Sequence, residues 1–466
     1  MLQKFSKRRE LLSAAMLLCF CAFTNNAMAQ TWNTGVGHNG APLTAELTGS
    51  GNNRTLTVKG NGLMADFQVS SGGVPWKDYL TNIATVVINN GVLSVGDYAF
   101  SGCTELKTVT FISGSDVSII GYRSFEKCTS LSLIEIPKSV TTIEGEAFLN
   151  CTGLKTVKFE EESGDLNFEA YTVDPKTHEY RYDWFKNCPI QTLELKRQYK
   201  FDRYTYAGTT LFKGNNHLQT LIIGRYVTLI EISDFADCSS LTNVTIQDGS
   251  DELIFGSWGA ESVFNGCPIN TLYLGRKIYT GYNRTYTPFS VEYKSPFYNK
   301  TSLETLTIGK DLSWISEYAF QGCIRLTTIT SNNLIPPTVG SNCFDDVNKT
   351  TCKVNVPRGT QCAYQSANQW KEFTNIVDDT NTACTNGIND VVATQLQIFP
   401  NPVKDDIFIK TDLQVEKVEI CSFAGTLLTQ ENNFNEKISI SALPEGIYLL
   451  RIYTDKGVAV SKIVKE

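Results

Sequence analysis

The 466-residue chain contains only three histidines, His38, His178 and His217. None stands in a His-Glu-x-x-His spacing, so a helix-borne zinc site is not encoded. A nucleophile–base pair would have to run through His178 or His217, and both lie in polar, insertion-like stretches that read as solvated surface. The acidic residues are no more directive: Glu160-Glu161-Glu162 with Asp165 reads as a solvated loop. Two carboxylates able to cleave a glycoside are defined by their separation in space, so an extracellular hydrolase stands as an alternative reading. No phosphate-binding Gly-rich loop, dinucleotide turn or Gly-x-Ser-x-Gly elbow occurs. The expectation is a protein without catalytic residues, cofactor or metal.

Fourteen cysteines hold the remaining reactive chemistry, two of them (Cys19 and Cys21) in the N-terminal apolar stretch. Seven others, Cys103, Cys128, Cys151, Cys188, Cys238, Cys267 and Cys323, follow a Phe at the same distance in successive copies of one phrase. Equivalent slots in a stack lie one strand spacing apart, whereas a disulfide needs Cβ atoms about 3.5–4.5 Å apart and turned together. A file of buried free thiols filling an inner corner is therefore expected, since free Cys packs as a small hydrophobe. Cys343, Cys352 and Cys362 fall outside the slot, with Cys352–Cys362 a candidate bridge. The disulfide states of Cys384 and Cys421 are open, and no paired CxxC marks a zinc site.

The phrase that places these thiols is Ala99-Phe100-Ser101-Gly102-Cys103-Thr104-Glu105-Leu106-Lys107-Thr108-Val109-Thr110-Phe111. Its anchor recurs as Phe125, Phe148, Phe185, Phe212, Phe235, Phe264, Phe297, Phe320 and Phe344, with a shortest spacing of 23 residues seen three times. Two units are one residue short at Cys188-Pro189-Ile190 and Cys267-Pro268-Ile269, and Asn215 and Lys300 replace Cys in two others. Each unit ends in a period-two run such as Ile134/Ile136, Leu193/Leu195 or Leu306/Ile308, hence a short strand. A second apolar position precedes the anchor by five residues (Val95, Ile120, Ile143, Ile230, Ile315). One coil cannot bury these residues, but coils stacked about 4.8 Å apart bury them against one another. Val109 and Phe111 are expected inside with their equivalents.

Function then falls to the surface. Between the inward positions the strands present Thr110, Glu135, Lys158, Glu194, Ile222, Thr245, Tyr273 and Thr307, a row without a charge stripe that suits an uncharged or mixed partner. Two insertions are rich in Tyr and Arg, the side chains of binding hot spots. One holds Tyr199, Arg203, Tyr204 and Tyr206, the other Tyr279, Tyr282, Arg284 and Tyr286. These eight are the candidate ligand-binding residues. The competing reading packs them as longer coils on the flank of the stack, as the strand-like alternation of the first run favours.

The termini carry addresses. Lys4, Lys7, Arg8 and Arg9 precede an apolar run from Leu11 to Phe23 and then Ala27-Met28-Ala29, a signal peptide cut before Gln30. Removing its four cations and one anion takes the formal charge from −7 to −10. An acidic product without a dense Lys/Arg run argues against nucleic acid as a partner. No other stretch is long and apolar enough to span a bilayer as a helix. Residues 30–75 contain two alternating runs, Leu43–Leu47 and Thr55–Val58, which read as a β-hairpin covering the first coil. A polar linker at 379–393 leads to seven strand-like runs in 394–466, the pattern of an immunoglobulin-like sandwich.

From Ile134 to Leu154 the chain reads Ile-x-Ile-Pro-x-x-Val-x-x-Ile-x-x-x-Ala-Phe-x-x-Cys-x-x-Leu, which resembles the BspA-like leucine-rich repeats. Pro75-Trp76 and the run from Pro336-Pro337 to Trp370 resemble the entry and exit of such arrays. The resemblance covers residues 76–378 and implies a mainly β leucine-rich-repeat solenoid with an adhesive role. Its implied partners are extracellular macromolecules: a host matrix protein, another cell surface or a glycan. Phe399-Pro400-Asn401-Pro402, Gly425, and Leu443-Pro444-Glu445-Gly446-Ile447-Tyr448 are similar to the C-terminal sorting domain of the type IX secretion system. This implies the type IX machinery as a partner, with secretion or display on the outer face of the outer membrane. The motif residues are Pro400, Asn401, Pro402, Gly425, Gly446 and Tyr448. A structural surface-layer component is the remaining alternative.

Overall fold

The computed structural model describes residues 29–37, 40–68, 72–174, 179–201, 210–231, 233–256, 263–280, 295–378, 396–422, 427–432, 434, 436–454 and 457–466. The expected signal peptide up to Met28 and the expected linker at 379–393 lie outside the described residues. Two compact units divide the chain: 1–193 with 197–211, and 194–196 with 212–466.

The first unit opens with the expected hairpin, Pro42–Thr48 against Arg54–Lys59. Its alternation buries Leu43, Ala45, Leu47, Leu56 and Val58. Strands Gln30–Gly37 and Gly62–Met64 extend it on the other side; both are too polar and Gly-rich to show a period in sequence. Arg54–Lys59 also pairs in parallel with Ile83–Ile88, the strand of the first coil. The cap thus covers an edge that would otherwise be open to pairing.

Each coil then repeats one path. The Phe turn is locked to the next coil by its own N–H, from Phe100 to the Ser124 carbonyl at 2.7 Å and from Phe125 to the Ala147 carbonyl at 2.9 Å. Two residues after the anchor the backbone turns left-handed, at Gly102, Asn150, Asn187, Gly214, Asp237, Gly266, Asn299, Gly322 and Asp346. Gly, Asn and Asp are the types that tolerate that region best, and Lys127 is the exception, at φ 60°. The anchor rings form a stacked file: Phe125 and Phe148 are 5.3 Å apart and 3° from parallel, Phe148 and Phe185 5.2 Å and 4°. Trp76 heads this file against Phe100, its indole N–H donating to the Ala99 carbonyl at 3.1 Å.

Main strands Leu133–Ile136 and Thr156–Phe159 pair in parallel, with Ile134, Ile136, Val157 and Phe159 buried. Strand Thr108–Phe111 pairs with Ile83–Ile88 but is not joined to Leu133–Ile136, and Val109 and Phe111 are only half-buried. This corrects the expectation of full burial. Pairing on one side only leaves these two apolar side chains partly open, at the point where the main strands divide into two sheets. The second flank stays continuous through Ser94–Val95, Ile119–Ile120 and Thr142–Glu144.

In the second unit seven main strands pair in parallel and in sequence: Thr220–Ile223, Asn243–Ile246, Thr271–Leu274, Thr305–Ile308, Thr328–Ser331, Lys353–Asn355 and Asn375–Val377. A second Phe file runs from Phe212 to Phe344 and ends on Trp370, whose indole N–H donates to the Pro337 carbonyl at 2.9 Å. A short helix, Gln361–Ser366, packs Tyr364 beside that indole.

The last domain has the seven expected strands, in two antiparallel sheets. One orders Gln397–Phe399, Asp406–Lys410 and Lys437–Ser439; the other Leu427–Glu431, Val415–Ser422, Gly446–Thr454 and Gly457–Lys465. Ile407, Ile409, Val418, Ile420, Leu450, Ile452 and Ile463 form its core. Two such sheets around one core make an immunoglobulin-like sandwich.

Candidate functional site

Of the eight Tyr and Arg candidates, two fall in described residues. Tyr199 is 5 % exposed and packs edge-on against Phe168 and Phe201. It lines the interior, which removes it from the binding surface: strand Tyr199–Phe201 pairs with Leu166–Glu169 and turns the ring inward. Tyr279 is half-buried on strand Ile278–Thr280, its ring 6.2 Å from that of Trp314, and burial with the nearby Glu252 raises its hydroxyl pKa. Arg203, Tyr204, Tyr206, Tyr282, Arg284 and Tyr286 lie outside the described residues.

The outward row of the main sheet is in register. Thr245, Tyr273, Thr307 and Thr330 stand opposite one another on adjacent strands, as do Asn243, Thr271, Thr305 and Thr328. Tyr273 donates its hydroxyl to Asp248 Oδ2 at 2.8 Å. Burial, then the Asp248 carboxylate, push its pKa up to about 12. Gly309 makes room for this pair: a Cβ there would sit 2.1 Å from Asp248 Oδ1 and 3.1 Å from the Tyr273 hydroxyl.

A close carboxyl pair lies among the described residues of the first unit. Asp97 Oδ1 and Glu144 Oε2 both accept the Tyr122 N–H, at 2.8 and 3.1 Å. Gly121 leaves the space, since a Cβ would meet Asp97 Oδ1 at 2.7 Å. Burial, then the charge of Asp97, raise Glu144 to about 7. The two acids sit on the coils either side of that of Tyr122 and clamp its backbone between them, which is a stacking device. Among the described residues no group of three His, Cys, Asp or Glu could hold a metal ion.

The slot thiols are free, buried and in file. Cys128, Cys151 and Cys188 donate to the carbonyls of Phe100, Phe125 and Phe148, and Cys238, Cys267 and Cys323 to those of Phe212, Phe235 and Phe297, at 2.9–3.3 Å. Each thiol therefore satisfies the anchor carbonyl of the preceding coil. Burial pushes Cys323 up to about 12 and Cys103 higher, which keeps the thiolate scarce. Cys352 is also a free buried thiol, so the candidate Cys352–Cys362 bridge is wrong; Cys362 is disulfide-bonded, but not to Cys352.

Two buried arginines escaped notice in the sequence. Arg197 donates to the carbonyls of Lys138, Val140, Gly164 and Asp165, and Arg276 to those of Gly224, Arg225 and Val227. Both are 1 % exposed, and burial lowers Arg276 to about 10. The signal was present: they stand 79 residues apart, as do Phe185 and Phe264 of the two shortened units.

In the last domain the Pro-Asn-Pro motif holds the chain's final strand. Asn401 Nδ2 donates to the Lys462 carbonyl and Asn401 Oδ1 accepts the Val464 N–H, both at 2.9 Å. Val403 continues the pairing through its N–H to the Val464 carbonyl at 2.8 Å. Tyr448 is 7 % exposed and donates its hydroxyl to the Pro444 carbonyl at 2.6 Å. Gly425 lies outside the described residues.

These features define a repeat protein with a C-terminal address domain. Residues 78–172, 163–287 and 293–386 match the BspA type leucine rich repeat region in six copies. Residues 397–466 match the secretion system C-terminal sorting domain. The chain belongs to the BspA-type leucine-rich repeat family and ends in a type IX sorting domain, which makes it a secreted or cell-surface protein.

Among solved structures it is similar to a leucine-rich repeat protein from Eubacterium ventriosum (18% identity, 68% of this chain and 95% of that one, TM-score 0.21). A leucine-rich repeat protein from Bacteroides ovatus is also similar (16%, 72% and 86%, TM-score 0.25), as is the pneumococcal vaccine antigen PcpA (16%, 74% and 100%, TM-score 0.21). No curated protein matches the chain. Among the described residues no helix is long and apolar enough to cross a membrane.

Proposed function

We propose that this is a non-enzymatic binding protein whose repeats engage an extracellular macromolecule. Its last domain hands it to the type IX machinery for delivery to the outer face of the outer membrane. The observation that carries the reading is the division of labour within each coil. Ring files, thiol–carbonyl bonds and buried arginines fix the interior, which leaves a regular outward sheet face whose side chains are not needed to hold the core. The close carboxyl pair Asp97–Glu144 is engaged in holding coils together, which weighs against the hydrolase alternative.

The test is a binding screen of the full chain against immobilised matrix proteins, cell surfaces and glycans. Tyr204 and Tyr286 of the two insertions are part of the proposal: replacing both with Ala should weaken capture and leave the thermal transition nearly unchanged. Equal loss of fold and capture would show those rings to be core. Hydrolysis of a glycan or peptide in the same screen, abolished by Glu144→Gln, would replace this reading with the enzymatic one.

A further inference from the structure

Within that reading, we infer that the outward face of the main sheet in the second unit binds a neutral polysaccharide chain, with the ring of Tyr273 as its stacking platform. From strand Thr220–Ile223 to strand Thr328–Ser331 the outward positions hold threonine, asparagine, one isoleucine and Tyr273, and no ionised side chain. Charged residues make up 19% of the chain, so ten outward positions on five adjacent strands without one set this face apart. The same positions in the first unit include Glu135 and Lys158. Within these ten positions a polyanion or polycation would find no counter-charge, and the Asp248 carboxylate beside them is already engaged by the Tyr273 hydroxyl. An uncharged polyhydroxylated chain loses nothing by lying there.

The chemistry of the row fits such a chain. A threonine hydroxyl both donates and accepts, as a sugar hydroxyl does, and the side-chain amide of Asn243 offers both functions too. Strand pairing sets the hydroxyls in register at about 4.8 Å per rung, so the pattern repeats along the sheet as monomers repeat along a polysaccharide. Thr245 and Thr307 flank Tyr273 on the strands to either side.

Tyr273 supplies the apolar element. Its hydroxyl is pinned to Asp248 beside Gly309, so the ring is held before any ligand arrives. Prior ordering of this kind removes part of the entropic cost of association. An aromatic face offers broad apolar area to the C–H side of a sugar ring, while its polar tip is already satisfied.

The experiment is affinity electrophoresis of the full chain through gels containing mannan, dextran or laminarin, with heparin as the charged comparison. The expected result is retardation by at least one neutral polysaccharide and none by heparin. Tyr273→Ala should weaken that retardation about tenfold or more, as hot-spot truncations do. Thr307→Lys, a change at a half-exposed position, should abolish it while the melting midpoint holds. The inference is overturned if no neutral polysaccharide retards the chain, or if Tyr273→Ala and Thr307→Lys both migrate as the parent does. Capture of unglycosylated matrix protein with no response to any polysaccharide would sink this inference alone. Failure of both sets would take the broader reading with it.

Discussion

Lys300 Nζ donates to the backbone carbonyl of Phe264 at 2.6 Å, the role a cysteine Sγ plays in the neighbouring coils. A unit that departs from the repeat in residue type thus preserves it in hydrogen bonding. Burial depresses the pKa of this amine, opposed by the Cys267 and Cys323 thiols. Lys300→Ala leaves the carbonyl without its donor and should cost about 1–3 kcal/mol. Lys300→Cys restores the slot residue and should lie within about 1 kcal/mol of the parent, since it keeps a donor in the slot and buries no amine. Urea denaturation of the three proteins checks this; equal loss in both variants would show that the bond is incidental.

Lys127 occupies the left-handed position that Gly, Asn or Asp takes in the other described coils. Its Cβ pays a steric penalty that Gly avoids. The Lys127–Glu126 ion pair offsets little, because the ammonium is largely exposed. Lys127→Asn should therefore raise stability by roughly 0.5 kcal/mol and Lys127→Gly by up to about 1, read as a higher melting midpoint. A lower midpoint in both would mean that the lysine makes a contact of greater worth.

The stack was legible because its signal is local and restated in every coil: the Phe–Cys–Leu spacing and the terminal alternation need no distant partner to be read. The seven strands of the last domain were legible for the same reason. What escaped depends on residues far apart in sequence. Asp97 and Glu144 meet only because the coils stack, 47 positions apart. Tyr199 has an amphipathic ring, and Phe168, 31 residues earlier, decides that it turns inward. Strand Gln30–Gly37 has no alternation to announce it, and pairs because the hairpin offers an edge. Cys352 and Cys362 belong to no repeated slot, so spacing carried no information about their partners.

The Asp97–Glu144 pair makes the first unit sensitive to pH. Glu144 ordinarily titrates near 4.5 and here near 7, first from burial and then from Asp97. A carboxyl whose folded pKa is raised favours folding while protonated. That contribution is complete below its ordinary pKa and is lost as pH rises through the folded one. Between pH 4.5 and 7 this group should therefore lower stability progressively. Asp66, whose carboxylate accepts the Asp97 N–H at 3.0 Å, adds charge of the same sign. Glu144→Gln should flatten the melting midpoint across that window relative to the parent. An unchanged slope would assign the titration to other groups.

Asn401 ties the sorting motif to the end of the chain through one donor and one acceptor on the same strand. Asn401→Ala removes both bonds and leaves the Val464 N–H and Lys462 carbonyl to solvent, at an expected cost of about 1–3 kcal/mol to the last domain. Asn401→Asp keeps the acceptor for Val464 but sets a carboxylate against the Lys462 carbonyl, so it should lose as much or more. If the transport machinery reads the folded end of this domain, both variants should accumulate in the periplasm while the parent appears outside the cell. Fractionation followed by immunoblotting measures this. Normal export of a destabilised Asn401→Ala chain would show that the machinery reads the motif as sequence, without need of the clamp that the asparagine forms.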